Sequence, residues 1–172
     1  QMWRGFNQTV ADPVSVGVDP QALARIESIL GVRCVETPIP NWDEVLERAR
    51  RREVDVLVLA AETHDRLEYL SFTEPFLELP AVIIAREGVE SGLTPNDLEG
   101  MRVAVPSGYA IHDFLEERFP DLELDPVPDT RTGLRKVSFG MADAFVSDLS
   151  AASYFLEQEG ISNLRVVGET GY

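Results

Sequence analysis

The stretch from Val54 to Arg86 reads VDVLVLAAETHDRLEYLSFTEPFLELPAVIIAR, so that apolar runs enclose a polar segment. Its first eight residues are almost all apolar and rich in β-branched side chains, which is typical of a strand covered on both faces. Five polar side chains follow at residues 62–66, and residues 80–85 predict a second strand. Because open α/β sheets bind ligands outside the carboxyl ends of their strands, we predict that residues 62–66 lie at a ligand edge.

Helix and strand signals alternate before this stretch. Asp19 as N-cap and Pro20 at the first helical position predict a helix that ends at Gly31, followed by a strand over residues 32–37. Asn41 predicts the N-cap of a second helix, which closes with the basic run at residues 48–52. Basic side chains are favoured at a helix C-terminus by the dipole, so this run indicates a solvated helix end rather than a phosphate or nucleic-acid site.

After Arg86 the chain becomes polar and rich in glycine, which predicts a boundary between two lobes, residues 1–86 and 87–172. A second series of elements follows, with strands over residues 101–105, 121–127, 142–146 and 164–168 and helices over residues 111–118, 130–139 and 149–157. Strands that alternate with helices predict an α/β fold with a parallel sheet and right-handed crossovers.

Composition limits the classes of function. The 172 residues carry a formal net charge of −15, which disfavours nucleic acid and anionic membrane surfaces as partners. Cys34 is the single cysteine, which excludes an intrachain disulfide, and we predict a buried strand thiol. No phosphate loop, nucleophile elbow or histidine-rich metal motif is present, so we predict no catalytic residue, no metal and no cofactor. No apolar run is long enough to cross a bilayer, and no signal peptide opens the chain.

Four segments of the first half occur in a specific order: EVDVL at residues 53–57, THDR at 63–66, FTEPF at 72–76 and VIIAR at 82–86. This order and spacing resemble the periplasmic solute-binding proteins of type 2, the amino-acid-binding class. The second half resembles the same family through Leu98, Gly100, Val103, Val105 and Gly108, and through Gly140, Asp143, Ala144, Phe145, Val146 and Asp148. The resemblance covers nearly the whole chain.

The resemblance implies a two-lobed Venus-flytrap fold in which each lobe is a small parallel or mixed sheet flanked by helices. It implies a periplasmic or other extracytoplasmic location. Against the family pattern, the chain lacks the first strand and the strand that returns from the second lobe, so we expect a domain truncated at both ends.

The resemblance also implies a site. Arg66, the arginine of the family's T-x-x-R motif, is expected to bind a ligand carboxylate, and Asp148 is expected to bind an ammonium group. The alternative for Arg66 is a structural ion pair with Glu62, Asp65 or Glu68, and the alternative for Asp148 is the N-cap of the helix that begins at Leu149. Asp148 can cap this helix and bind an ammonium group at the same time.

Further ligand-binding candidates surround these two residues. The family usually has small hydroxyl residues at the positions that Tyr109 and Ala110 occupy here. Near the start of the chain, Trp3 and Phe6 either match the aromatic patch that lines the family's ligand cleft or pack at the terminus. The remaining candidates are Thr63 of the T-x-x-R motif, and Ser107, Gly108 and Tyr109, which offer backbone donors and an aromatic wall at a helix start.

Three functions follow from the resemblance. The first is the ligand-binding sensor domain of a bacterial membrane signalling protein of the histidine kinase type. The sequence PSGYAIH at residues 106–112 favours this function, because it resembles the sensor members of the family more than the transport members. The second is the receptor of an amino-acid transporter, and the third is a dehydratase-like enzyme in which Glu62 and His64 form an acid–base pair. We predict a non-enzymatic domain whose partner is an amino acid or a small carboxylate. Membrane attachment would come through segments outside this chain, and a homodimer stays an open alternative.

Overall fold

The computed structural model describes residues 18–35, 37–39 and 41–172, and for residues 18–21 the backbone only. The chain forms two compact units, residues 1–73 and 74–172. This division falls before the boundary predicted after residue 86. The reason is the strand Ala81–Arg86 (β1), which pairs on both of its edges with strands of the second unit.

The described part of the first unit is helical. It contains α1 (Val18–Leu30), α2 (Trp42–Arg50) and the short α3 (His64–Leu67). The predicted cap of α2 is confirmed, because the Asn41 side chain accepts a hydrogen bond from the Glu44 N–H at 2.9 Å. Helix α1 begins at Val18, so Asp19 lies inside its first turn and not at the N-cap. Gly31, at a φ of +66°, follows its last residue.

Two strands predicted for the first unit are absent from its described residues. Residues 53–63, which include the predicted strand 54–61, form turns and irregular backbone, and so do residues 32–35 and 37. These two predictions are wrong for the described residues. A strand needs a neighbouring strand to take its backbone hydrogen bonds, and the described residues of the first unit pair none, although Val54 and residues 57–60 are half-buried.

Burial in this unit also differs from the prediction. Ile29 and Leu30, two apolar residues in the last turn of α1, are 71% and 66% exposed. Cys34 is half-buried and lies outside any strand, so the prediction of a buried strand thiol is wrong. The basic end of α2 forms local ion pairs, with Arg48 on Glu44 and Arg51 on Glu47, each at 2.8 Å.

The second unit is built on a five-stranded sheet with the order β3-β2-β4-β1-β5. Strands β2 (Arg102–Pro106), β3 (Glu123–Val127) and β4 (Ala144–Asp148) are parallel, whereas β1 runs antiparallel to β4 and to β5 (Leu164–Glu169). The sheet is therefore mixed, and its parallel half carries the predicted crossovers. The crossover helices are α4 (Ala110–Arg118), α5 (Thr130–Ser138) and α6 (Leu149–Glu159), and a 3₁₀ turn spans Pro95–Leu98.

Helices cover both faces of this sheet. On one face the strands pack against Leu98 of the 3₁₀ turn and against Ile111 and Leu115 of α4. On the other face they pack against Leu134 and other apolar residues of α5 and α6. Phe145 of β4 is fully buried on this second face. The fold of the unit is thus a three-layer α/β/α arrangement, as the alternation of elements predicts.

The β5 edge of the sheet is covered by the linker that follows β1. The N–H groups of Gly92 and Leu93 donate to Val167 O at 2.6 and 3.0 Å, and Arg165 Nη2 donates to Val89 O at 2.6 Å. Gly168 permits this approach, since a Cβ built there would lie 1.9 Å from Leu93 O. The covered edge presents fewer free backbone groups to another chain.

The end of the chain returns to the start of β1. Ala81 O accepts hydrogen bonds from both the N–H of Thr170, at 3.3 Å, and its hydroxyl, at 3.0 Å. The neighbouring Pro80 O accepts from the N–H of Leu149 at 3.0 Å. The entry of the chain into the sheet, its exit and the start of α6 therefore lie side by side.

Within residues 18–172, apart from Glu36 and Pro40, no helix combines the length and the apolar character that a bilayer crossing requires.

Replacing Gly168 by Ala should destabilise the second unit by about 1–3 kcal/mol, because the new methyl group collides with the backbone of Leu93 and not with a movable side chain. The measurement is the free energy of unfolding from chemical denaturation. Glu169→Ala, at an exposed position of the same strand, is the control and should change little. Equal stabilities of the two variants would contradict the predicted collision.

Candidate functional site

The carboxyl ends of the parallel strands bring two of the predicted segments together. Strands β2 and β4 pair with Val103 opposite Ala144 and Ala104 opposite Phe145. Continued along both strands, this register places Ser107 beside Asp148, at a separation of about 5 Å between strand axes. The loop at residues 107–109 and Asp148 therefore share one edge of the sheet, where open α/β folds bind their ligands.

Asp148 ends β4 and is the N-cap of α6. Its carboxylate accepts a hydrogen bond from the Ala151 N–H at 2.7 Å, so the capping role predicted as an alternative is present. Burial raises the pKa of the Asp148 carboxyl above its ordinary value, while hydrogen bonds from the N–H groups of Ala151, Asp148 itself and Ser150 partly oppose the effect. The half-buried carboxylate is a good acceptor for a cation, because an opposite charge would offset this cost of burial.

The loop after β2 leads into α4. The Ser107 N–H donates to Val127 O at 2.8 Å, which ties the loop to the end of β3, and Gly108 adopts a φ of +69°. Tyr109 is the N-cap of α4, with an extended backbone and no capping bond from its side chain. Helix α5 is different, since Asp129 caps it by accepting from the Thr132 N–H at 2.7 Å. At the start of α4 the N-cap residue supplies no carboxylate, and Asp113 is the acidic residue of the first turn. The N-terminal end of the helix dipole favours a negative group.

In the first unit, Arg66 is buried, with 3% of its surface exposed. Its Nη1 donates to Ala61 O at 2.8 Å, and its guanidinium carbon lies 5.4 Å from the centre of the Trp42 ring. These contacts hold the planar group in one orientation, and a fixed guanidinium suits bidentate binding of a carboxylate. The aromatic ring beneath it stabilises the buried cation.

Thr63 lies three residues before Arg66 and is the N-cap of α3. Its side chain forms no capping bond, and its hydroxyl oxygen is buried without a hydrogen-bond partner among the described residues. Glu62 and His64 on either side are exposed. Trp3 and Phe6 lie outside the described residues.

Three residues of interest were not predicted from the sequence. Trp42 is the first residue of α2, and no sequence signal links its ring to Arg66. Thr130, the first residue of α5, and Ser147, the residue before Asp148, are 1% and 0% exposed, and their hydroxyl oxygens have no hydrogen-bond partner in the described structure. For Thr130 and Ser147, the available sequence signal was their position at the carboxyl end of a predicted strand.

These features define a solute-binding domain, and comparison with known proteins identifies the family. The chain belongs to the bacterial extracellular solute-binding proteins, family 3, whose family model matches residues 4–155. The predicted Venus-flytrap class and the extracytoplasmic location are confirmed. The family and the fold are those of ligand-binding domains and not of catalytic ones.

Relatives and solved structures include both sensor proteins and an arginine-binding protein. The virulence sensor protein BvgS of Bordetella bronchiseptica is 25% identical over 151 residues, which are 88% of this chain and 12% of that protein. A histidine kinase sensor domain with similarity to periplasmic binding proteins gives a TM-score of 0.87 at 22% identity, covering 98% of this chain and 74% of that one. An ancestral arginine-binding protein bound to arginine gives a TM-score of 0.83 at 22% identity, and the match covers 96% of this chain and 74% of that one.

Replacing Asp148 by Asn should leave the protein at least as stable at pH 7. Asparagine caps a helix as well as aspartate does, and the neutral amide avoids the cost of a buried charge. Because the pKa of Asp148 is raised by folding, its protonation stabilises the folded state, so the stability of the wild type relative to the Asn variant should improve as the pH falls from 7 towards 4. Urea unfolding of both proteins across this range measures the difference.

Asp148→Ala is the matched control. It removes the charge and also the cap, and should therefore be about 1 kcal/mol less stable than the Asn variant at all these pH values. If the difference in the free energy of unfolding between the wild type and the Asn variant stays constant with pH, this result would contradict the raised pKa of Asp148.

Proposed function

We propose that this chain is the ligand-binding sensor domain of a bacterial membrane signalling protein of the histidine kinase type, and that its ligand is an amino acid. The sensor role is supported by the likeness to BvgS along most of the chain and by the structural likeness to a histidine kinase sensor domain. The amino-acid ligand is supported by the structural likeness to a protein that binds arginine.

One observation carries the ligand class. At a single edge of the sheet, a helix start that has no capping carboxylate favours a negative group, and the carboxylate of Asp148 favours a positive one. Opposite charges separated by a few ångströms are the pattern of an α-amino acid, whose carboxylate and ammonium groups are joined by one carbon. We assign the ammonium contact to Asp148, and we assign Ser107, Gly108 and Tyr109 to the loop that borders the negative group of the ligand.

Arg66 supplies the second carboxylate contact in this proposal, with Thr63 as a hydroxyl donor beside it. Arg66 belongs to the first unit and Asp148 to the second. Trp3 and Phe6, which lie outside the described residues, stay predicted ligand-binding residues.

The second candidate is the receptor of an amino-acid transporter, which the likeness to an arginine-binding protein favours. Both roles require the same ligand contacts and differ in what the ligand-bound domain acts on. A sensor domain alters the activity of the protein to which it is joined, through membrane segments outside this chain, whereas a receptor delivers solute to a permease. Homodimerisation stays a prediction, and light scattering measures it.

In a thermal-shift panel of the common L-amino acids and small carboxylates, at least one amino acid should raise the melting temperature of the chain. Arg66→Ala should abolish this shift, because it removes the fork that binds the carboxylate. Since Arg66 is buried, the melting temperature of the free variant is measured first, and Arg66→Lys, which keeps the charge without the fork, should bind weakly. Arg25→Ala, at an exposed position of α1, is the control. Undiminished binding by both Arg66 variants would assign Arg66 to structure alone.

In membranes that contain the full-length protein, the amino acid that stabilises the domain should change the rate of autophosphorylation. Asp148→Asn should abolish the response and leave the basal rate of the kinase unchanged, because the variant keeps the helix cap. The measurement is incorporation of radioactive phosphate from ATP with and without ligand. Two results would favour the transport receptor. One is a full-length protein without a kinase module, and the other is a rate of autophosphorylation that does not change when the ligand binds.

A further inference from the structure

Helix α4 carries three possible metal ligands in its first two turns. One ligand atom from each of His112, Asp113 and Glu116 lies within 4.8 Å of the others. Ile111 and Leu115 of the same helix are buried against the sheet. His112 and Glu116 form the adjacent row, because residues four apart lie one above the other on a helix. The cluster therefore lies on the border between the core and the surface of the second unit.

The histidine of this cluster is mostly buried and lacks a hydrogen bond. The His112 side chain is 12% exposed, and its Nε2 atom is buried without a hydrogen-bond partner among the described residues. The Oε1 atom of Glu116 lies 3.4 Å from this nitrogen, which is longer than the usual separation of about 2.7–3.2 Å in a hydrogen bond between nitrogen and oxygen. A buried polar atom without a partner needs a physical explanation, and a metal ion would supply the missing partner.

The separation of the two atoms fits coordination better than a hydrogen bond. Zn²⁺ binds histidine nitrogen and carboxylate oxygen at about 2.0–2.2 Å in tetrahedral geometry, which places two ligand atoms about 3.3–3.6 Å apart. Nε2 of His112 and Oε1 of Glu116 already have this separation. The Glu116 side chain is 61% exposed and lines a surface cavity of about 280 Å³, so its carboxylate can adjust as an ion enters and water can reach the site.

Charge and ligand type favour a transition-metal ion. The whole chain carries a net charge of −15, which attracts cations. Carboxylate and water ligands alone suit Mg²⁺ and Ca²⁺, whereas an imidazole ligand suits zinc, nickel, copper and iron. One imidazole beside two carboxylates therefore favours an ion such as Zn²⁺ over Mg²⁺ and Ca²⁺.

We propose that His112, Asp113 and Glu116 bind one divalent transition-metal ion, through Nε2 of the histidine and one carboxylate oxygen of each acidic residue. Water completes the coordination. This site is separate from the proposed amino-acid site and does not rest on it. No metal was predicted from the sequence, because no histidine-rich motif is present and this cluster contains a single histidine.

A bound ion fixes the beginning of α4. The N–H groups of His112 and Asp113 donate to Tyr109 O at 2.8 and 3.2 Å, so these two ligands belong to the turn that follows the loop at residues 107–109. Glu116 lies one turn further along, and an ion shared by the three side chains joins two successive turns. Because the three ligands are brought together by the folded helix, the ion stabilises the folded state and raises the melting temperature.

The experiment is isothermal titration calorimetry of Zn²⁺ into the metal-free chain, in an excess of Mg²⁺ that occupies non-specific carboxylate sites. The wild type should bind one equivalent of Zn²⁺. His112→Ala should lower the affinity by at least about tenfold, because it removes the nitrogen ligand, and Asp113→Asn and Glu116→Gln should each lower it by at least about threefold. His64→Ala removes the other histidine of the chain, at an exposed position, and is the matched control that should bind as the wild type does.

Two further measurements separate coordination from folding and from charge. Zn²⁺ should raise the melting temperature of the wild type and of His64→Ala but not that of His112→Ala, and the metal-free melting temperatures show whether each variant is folded. Glu116→His exchanges one ligand for another at the spacing of two histidines that bind zinc on one helix face. It should keep or increase the affinity for Zn²⁺ although it removes a negative charge.

Wild-type affinity for Zn²⁺ in both His112→Ala and Glu116→Gln would overturn the site. So would a wild type that binds no Zn²⁺ in the presence of Mg²⁺. A loss of affinity in Glu116→His as large as that in Glu116→Gln would also overturn it, because attraction by charge would then account for the binding. None of these results tests the proposed amino-acid site, which the thermal-shift panel measures without added metal.

Discussion

The parallel alignment of β2, β3 and β4 is the constraint on which the candidate site depends. Parallel strands end at the same edge, and each is followed by a helix, so the starts of α4, α5 and α6 converge there. Two of these starts are capped by carboxylates, Asp129 and Asp148, and the third is not. The edge therefore brings the carboxylates of Asp129 and Asp148 together with the N-terminal end of α4, and the proposed recognition of a zwitterion rests on this combination.

The elements of the second unit were predictable because their signals are local. Asp129 and Asp148 stand where caps are needed, Gly140 and Gly160 follow their helices at positive φ, and the apolar strands between them alternate with amphipathic helices. The strand predicted over residues 54–61 shows the limit of this reasoning. Its composition suits a buried strand, but strand formation depends on a partner elsewhere in the chain, and composition does not report that partner.

The candidate site was predictable in part for the same reason. Asp148 was found through its motif, and the structure adds that the helix cap and a raised pKa come with the same carboxylate. Thr130 and Ser147 were not found, since the absence of a hydrogen-bond partner is a property of tertiary packing. The close packing of α5 on Phe145, which Gly133 permits, is a property of the same kind, because a glycine within a helix does not indicate which side chain packs against it.

The double hydrogen bond from Thr170 to Ala81 O has a consequence for how the second unit can be used. It holds the first and last strands of the sheet with their outer ends adjacent. Domains whose ends are adjacent tolerate insertion into a surface loop of a host protein and circular permutation. In the described part of the chain the sheet is thus entered at Ala81 and left at Thr170 side by side, so that a short linker would span the two points.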